Sequence, residues 1–248
     1  MIIAVDIGNT NISVAGFSDR SEPDFIKKYP DNRYHTADEI YKELSLLDCD
    51  FTSAVLCSVV PPLTSIVREA LERLTRGNVT VIDSDFDDGL KIVGYDRKRL
   101  GNDRVADMLA VRALYGAPAV VFDMGTATTV SVIDAGGVFI GGLIMPGLTM
   151  SINALSSGTA LLPGLNPVKP NSFLGQDTEA CINNGVLYSQ ASSVEGIIMR
   201  AEELLGEGVT AVMTGGAARL ILPLVRKQVI YDENLLFKGM KLAVDKNL

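Results

Sequence analysis

Two short stretches of the chain carry the same side-chain types in the same order. Ile2-Ile3-Ala4-Val5-Asp6 and Val120-Val121-Phe122-Asp123 are apolar runs that end in a carboxylate, with a glycine two residues further on. Hydroxyl and amide side chains follow, as Gly8-Asn9-Thr10-Asn11 in the first copy and Gly125-Thr126-Ala127-Thr128-Thr129 in the second. A tight glycine turn exposes backbone N–H groups, and with Thr or Asn side chains beside them these donors suit phosphate oxygens. The leading aspartate can hold a cation that accompanies the phosphate. One Asp-x-Gly-x-Thr alone is an ordinary turn. Two copies in matching context, almost half of the 248 residues apart, point to a duplicated phosphate loop. The arrangement expected from such a duplication is two loops that face each other across a cleft.

A third set, Leu100-Gly101-Asn102-Asp103-Arg104, runs straight into a helical pattern with apolar positions at Val105, Met108, Leu109, Val111 and Leu114. Asp103 in a first turn complements the helix dipole, which is a structural reason to find it there. The same dipole would keep it ionised as a proton acceptor, at some cost in basicity. A cation gains nothing from the dipole at that end, so Arg104 reads instead as a fork of donors for a carboxylate or phosphate.

These groups need a frame, and the pattern around them alternates strands with helices. Strands are expected at Ile2–Asp6, Ile12–Phe17, Phe25–Tyr29, Thr52–Val60 and Val79–Ile82, with helices from Thr36 and over Leu63–Thr75 between them. After the second loop, Gly136-Gly137 and Gly141-Gly142 are expected to bracket a short strand, and Pro146-Gly147 to turn the chain into a helix around Thr149–Leu155. Glu179–Leu187 and Val194–Leu205 read as two helices and Ala211–Thr214 as a strand. Gly215-Gly216 reads as a third glycine turn that opens a helix Ala217–Val225 and lets a flat adenine or ribose approach the backbone, and Leu235–Val244 as a closing helix. Strands alternating with helices in this way indicate a layered α/β fold. The repeat divides it into lobes at residues 1–116 and 117–248.

Composition narrows the function classes. Thirty acidic against 22 basic residues give a net charge of −8, which argues against a nucleic-acid or anionic-membrane surface. No apolar run reaches the length of about 18 residues that would suggest a membrane span, and no secretory leader pattern opens the chain, so a soluble, cytoplasmic protein is expected. Cys49, Cys57 and Cys181 form no C-x-x-C pair and His35 is the single histidine, which makes zinc, structural disulfides and histidine acid–base chemistry poor readings. Cys57, in the apolar run Ala54–Val60, is expected to be buried, and His35 to lie on the surface. The acidic cluster Asp83 to Asp88 lacks the spacing of an EF-hand and reads as a solvated turn.

Taken together, Asp6-Ile7-Gly8-Asn9-Thr10, Gly101-Asn102-Asp103-Arg104, Asp123-Met124-Gly125-Thr126-Ala127-Thr128-Thr129, Gly141-Gly142 with Pro146-Gly147, and Thr214-Gly215-Gly216 resemble the motifs of the type III pantothenate kinases. These belong to the sugar kinase, actin and acetate kinase superfamily, and the resemblance runs over nearly the whole chain. It implies a duplicated ribonuclease H-like, two-lobe α/β fold with an ATP cleft between the lobes. It also implies transfer of the ATP γ-phosphoryl group to the primary hydroxyl of pantothenate, the opening step of coenzyme A synthesis. By this likeness Asp103 is the general base, and Asp6, Ile7, Gly8, Asn9, Thr10, Asn11, Ile12 and Ser13 hold the ATP phosphates, with Thr126 adding a hydroxyl contact. Tyr95, Gly101, Asn102, Arg104 and Thr178 are implied pantothenate contacts beside Asp103. Asp123 matches the ligand of a monovalent cation, K+ or NH4+, and Asp6 is a candidate for Mg2+. The resemblance further implies a homodimer whose substrate pocket is completed across the interface.

Ser131, Ala15 and Tyr231 depart from the family pattern, where Asp, Gly and His are frequent. Two rival readings stand beside the kinase. One is a kinase of another small carboxylate-bearing alcohol, which Arg104 with Tyr95 would favour over a neutral sugar. The other is a nucleotide-binding regulatory homologue without turnover.

Overall fold

The structure is a computed structural model that describes residues 1–30, 36–86 and 89–245. His35, and Asp87 and Asp88 of the acidic turn, lie outside the described residues. The first sheet contains β1 (Ile2–Ile7), β2 (Asn11–Phe17), β3 (Phe25–Pro30), β4 (Ser53–Ser58) and β5 (Val79–Ile82) in the order β3-β2-β1-β4-β5. β1 pairs antiparallel with β2 and parallel with β4, so it lies at the centre. Its near-continuous apolar sequence fits a strand covered on both faces.

The period-2 alternation of β1 assigns its side chains to layers. Ile3, Val5 and Ile7 join a core with Ile40 and Leu44 of α1 (Ala37–Ser45) and Val67 and Leu71 of α2 (Pro61–Leu74). Ala4 and Asp6 therefore face the other way, beside Val55 and Cys57 of β4 by register. α1 starts at the expected cap, with Glu39 N donating to Thr36 Oγ1 at 3.3 Å and Thr36 N donating to Glu39 Oε2 at 3.1 Å. Pro61 and Pro62, expected to end a strand, also supply the first turn of α2, where a missing N–H costs nothing.

Two helices pack against β4 on the sheet, α3 (Asn102–Leu114) and α7 (Leu235–Asp245), and α7 also meets β1 and β5. They pack on each other at Gly239, where a Cβ would collide with the Ala106 carbonyl. α7 buries Leu235, Phe237, Met240 and Val244. The chain accordingly divides into one compact unit of Met1–Leu114 with the segment that begins at Asn234, and a second of Tyr115–Glu233. The closing helix, expected in the lobe 117–248, lies with the first unit. Its apolar face has its counterpart in α3, and no repeat pattern announces that preference.

The second unit repeats the first. β6 (Ala119–Met124), β7 (Ala127–Ile133), β8 (Phe139–Pro146), β9 (Thr210–Thr214) and β10 (Ile230–Tyr231) take the order β10-β9-β6-β7-β8, which in chain terms is the order of the first sheet. Val120, Phe122 and Met124 pack under α4 (Leu148–Gly158), α5 (Thr178–Leu205) and α6 (Ala218–Ile221), which sends Val121 and Asp123 to the opposite face.

Three local expectations change. The Gly141-Gly142 pair lies inside β8 rather than at its end: the register shifts between Val132 and Ile133, so Ile140 has no partner, and Gly141 takes φ +144° at the resulting bulge. The two helices expected over Glu179–Leu187 and Val194–Leu205 are one continuous α5. The polar run between them reads as a break but stays helical, because the buried face continues through Gln190, Ala191 and Val194, while Ser189 Oγ and Ser193 Oγ turn back to the Val186 and Ser189 carbonyls at 2.9 and 2.8 Å. The helix expected over Ala217–Val225 is shorter and ends in a 3-10 turn at Leu222–Leu224, where Pro223 removes a donor. The two-residue strand β10 has too little pattern to be read in sequence.

Candidate active site

In the first unit the loop between β1 and β2 is closed by Gly8 N donating to Asn11 O at 3.0 Å. Asn9, Thr10 and Asn11 are exposed at its tip, whereas Ile7 and Ile12 are buried, so the two isoleucines can offer a ligand only their backbones. Asp6 is half-buried, faces Ser13 across β2 and Cys57 across β4, and lies on the α3 side of the sheet.

α3 brings the second group of residues to that end. The Gly101 carbonyl accepts the Val105 N–H at 3.2 Å, which places Gly101 at the head of the helix, and a Cβ there would collide with Asp103 Oδ1. The bare glycine is what lets the Asp103 carboxylate fold back over the helix start, where Oδ1 accepts from Arg104 N at 2.8 Å. Burial first, and then the negative charges of Asp6, Asp103 and Asp107, push the pKa of the Cys57 thiol well up. Cys57 is thus an inert buried side chain around which Asp6 and Asp103 converge.

Asp103 departs from one expectation. A first-turn carboxylate under a helix dipole is expected to ionise more readily, yet the Asp103 pKa is raised. Burial outweighs the Arg104 backbone hydrogen bond and the Arg104 charge, which both pull it down. The consequence is a stronger base than an exposed aspartate. Arg104 is only 5% exposed. Burial acts against its charge, while the Tyr95 hydroxyl, Asp103 and Asp107 support it. Tyr95 accepts a hydrogen bond from the Arg104 guanidinium and is itself exposed, so the pair forms a route from the protein interior to the surface.

Asn102 has both ends of its amide engaged: Nδ2 donates to the Ser58 carbonyl at 3.2 Å, and Oδ1 accepts from Arg97 Nη1 at 3.3 Å. Arg97 also donates to the Asp83 carbonyl at 2.6 Å. In the sequence Arg97 stands in the charged run Asp96-Arg97-Lys98-Arg99, and only its position five residues before Asn102 connects it to the helix start.

In the second unit the loop between β6 and β7 closes with Gly125 N donating to Ala127 O at 3.1 Å, leaving Gly125 and Thr126 exposed. Asp123 faces Thr129 and Thr214, the counterparts of Ser13 and Cys57. Gly215, at φ +89°, rests against it: a Cβ would stand 2.6 Å from Asp123 Oδ1 and from Met124 N. This close approach accounts for Gly215, while Gly216 has open space beside it. The Gly125 and Thr126 carbonyls converge on Gly147, whose N–H donates to Thr126 O at 3.2 Å. Among the described residues, no cluster of three His, Cys, Asp or Glu side chains is arranged to hold a metal ion. A magnesium ion at Asp6 would therefore depend on phosphate oxygens and water for its remaining ligands.

Thr178 is the exposed first residue of α5, next to the cap in which Ala180 N donates to Asp177 Oδ1 at 2.8 Å. The irregular segment before it is held by two buried amides that sequence reading missed. Asn183 both accepts from Val168 N at 2.9 Å and donates to Val168 O at 3.0 Å, as a peptide group would, and Asn184 Nδ2 donates to Ser172 O at 2.9 Å. Two adjacent amides inside a helix were the available signal, since buried amides need partners.

A family model described as type III pantothenate kinase matches residues 2–200. The chain belongs to that family. A type III pantothenate kinase of Moorella thermoacetica is 35% identical, with all of both chains covered. Among solved structures, a Campylobacter jejuni protein described as a Baf family transcriptional activator superposes with TM-score 0.63 at 22% identity, over 99% of this chain and 98% of that one. A ROK family glucokinase of Streptomyces griseus in complex with glucose and AMPPNP gives TM-score 0.54 at 13% identity, over 99% and 98%. At these identities the structures establish the fold, which is the duplicated α/β fold of the actin and sugar-kinase superfamily expected for a type III pantothenate kinase. Among the described residues no helix is long and apolar enough to cross a membrane.

Proposed function

We propose that the chain transfers the γ-phosphoryl group of ATP to the primary hydroxyl of pantothenate in the cytoplasm. The observation that carries this is the convergence of Asp6 and Asp103 about Cys57, at the end of a sheet whose first loop is built for phosphate, in a chain of this family. In the reaction the substrate oxygen attacks the γ-phosphorus, the bond to the bridging oxygen of ADP breaks, and the hydroxyl proton passes to Asp103. Phosphoryl transfer needs positioning and charge neutralisation more than covalent help, so one raised carboxylate is a sufficient base. Asp6 and residues Gly8 to Ser13 hold the phosphates with their magnesium, and Thr126 adds a hydroxyl. Arg104, oriented by Tyr95, takes the pantothenate carboxylate, with Gly101 and Thr178 as further contacts. The Asn102 side chain is already engaged and would act through its backbone.

A monovalent cation at Asp123 fits the same reading. Neither loop carries the lysine of a P-loop, and a potassium-sized ion on a carboxylate and carbonyls would offset triphosphate charge without strict octahedral geometry. A homodimer is supported by apolar side chains that the second unit leaves exposed, among them Ile144, Leu161, Phe173 and Leu174.

The test is ADP release from ATP and magnesium with and without pantothenate, in potassium, ammonium and sodium salts at matched ionic strength. Release that requires pantothenate is the expected result, and release indifferent to it removes the assignment. Potassium and ammonium should support turnover better than sodium, and Asp123→Ala should erase that difference while raising KM for ATP. Equal rates in all three salts would remove the cation site.

A further inference from the structure

We infer that Arg97 is a positioning residue for the proposed base, acting through Asn102; the inference rests on the assignment of that role to Asp103. Gly101 heads α3 without a side chain, so the direction of the first turn, and with it the Asp103 carboxylate, has to be fixed from outside the helix. Asn102 does this by tying the helix start to the Ser58 carbonyl at the end of β4, one residue past Cys57, the partner of Asp6 in the β1–β4 pairing. The same strand end therefore fixes both carboxylates.

The orientation of the Asn102 amide is decided by its two partners. A carbonyl can only accept and a guanidinium can only donate, so Nδ2 must face Ser58 and Oδ1 must face Arg97. Arg97 is in turn braced by its bond to the Asp83 carbonyl, just beyond β5. The line Asp83–Arg97–Asn102–Ser58 thus spans from the end of β5 to the end of β4 and passes through the residue next to the base. Asparagine is the one side chain of this length and shape that offers a donor to one end and an acceptor to the other. Aspartate would turn an oxygen toward the Ser58 carbonyl.

The experiment is a double-mutant cycle in the full chain, with kcat and both KM values measured beside the thermal midpoint. Arg97→Ala and Asn102→Ala should each lower kcat about 10-fold or more, because a small displacement of a base is costly, with KM for ATP nearly unchanged. The double variant should be no slower than the slower single variant. In an Asp103→Asn background Arg97→Ala should cost no further kcat, and Arg97→Lys, which keeps one donor, should recover part of the loss. Additive losses, an equal loss in the Asp103→Asn background, or a lowered midpoint with kcat intact would each overturn the relay. Should Asp103→Asn alone keep near-parental turnover, the base assignment fails on its own, whatever the cycle shows.

Discussion

The first and second units share a strand order and an aspartate in the same place on the central strand, and they differ in what the helix after the last strand does. In the first unit that helix is α3, which begins Gly101-Asn102-Asp103-Arg104 and buries Arg104 and Asp107. The helix that follows the last strand of the second unit, α7, belongs instead to the first unit, where it buries Leu235, Phe237, Met240 and Val244 and packs on α3 itself. The loops differ as well. Four residues, Gly8 to Asn11, separate the paired Ile7 and Ile12, whereas three, Gly125 to Ala127, separate Met124 and Thr128. The parallel neighbour of the aspartate is Cys57 in one unit and Thr214, followed at once by Gly215, in the other. Of two frames with one strand order, the first carries Asp103 and Arg104 on its helix α3, and the helix that follows the second serves the first as a support.

The comparison makes Asp103→Asn the most damaging change. Turnover should drop by about 10² or more with ATP binding kept, since a general base contributes on this scale. Because burial raises the Asp103 pKa, the acid limb of the parent kcat/KM profile should lie above that expected for an exposed aspartate. The stability effect has the opposite sign. A raised folded-state pKa gives stability that is present at low pH and lost as pH rises through it, so Asp103→Asn should melt at or above the parental midpoint at neutral pH, with the gap closing on acidification. A variant that melts lower and turns over within a few-fold of the parent would mean that Asp103 is a helix-start residue and nothing more.

Arg104→Lys comes next. It keeps the charge and loses the fork, and pantothenate affinity should fall by about 1 to 3 kcal/mol while ATP binding holds. Calorimetry with each ligand decides it, and equal weakening of both would assign Arg104 to the phosphates or to the interior. Gly239→Ala should have the smallest effect on chemistry. A methyl group against the Ala106 backbone must push α7 off α3, costing about 1 to 3 kcal/mol by denaturant titration, with kcat within a few-fold. A large loss of kcat with unchanged stability would show that α7 does more than support.

What could be read before the fold was known follows from this division of labour. Asp6, Asp123, Gly101 and Asp103 stand where local pattern, tight turns and helix starts place them, so their elements were legible. The engagement of Asn102 by Arg97 and Ser58 was not, because it joins segments 44 residues apart along the chain. The raised pKa of Asp103 escaped for the same reason: the dipole is a local property and burial a tertiary one. The unbroken course of α5 past Ser189 and Ser193 rests on the burial of Gln190, Ala191 and Val194, a tertiary property that composition conceals.

The return of α7 to the first unit has a consequence for synthesis. A ribosome completes the strands and α3 of that unit early, but it must pass through all of the second unit before the covering helix emerges. Tyr115–Glu233 is contiguous and can fold as it is made. The unit carrying Asp103 can therefore close only after the whole of the second unit has been made.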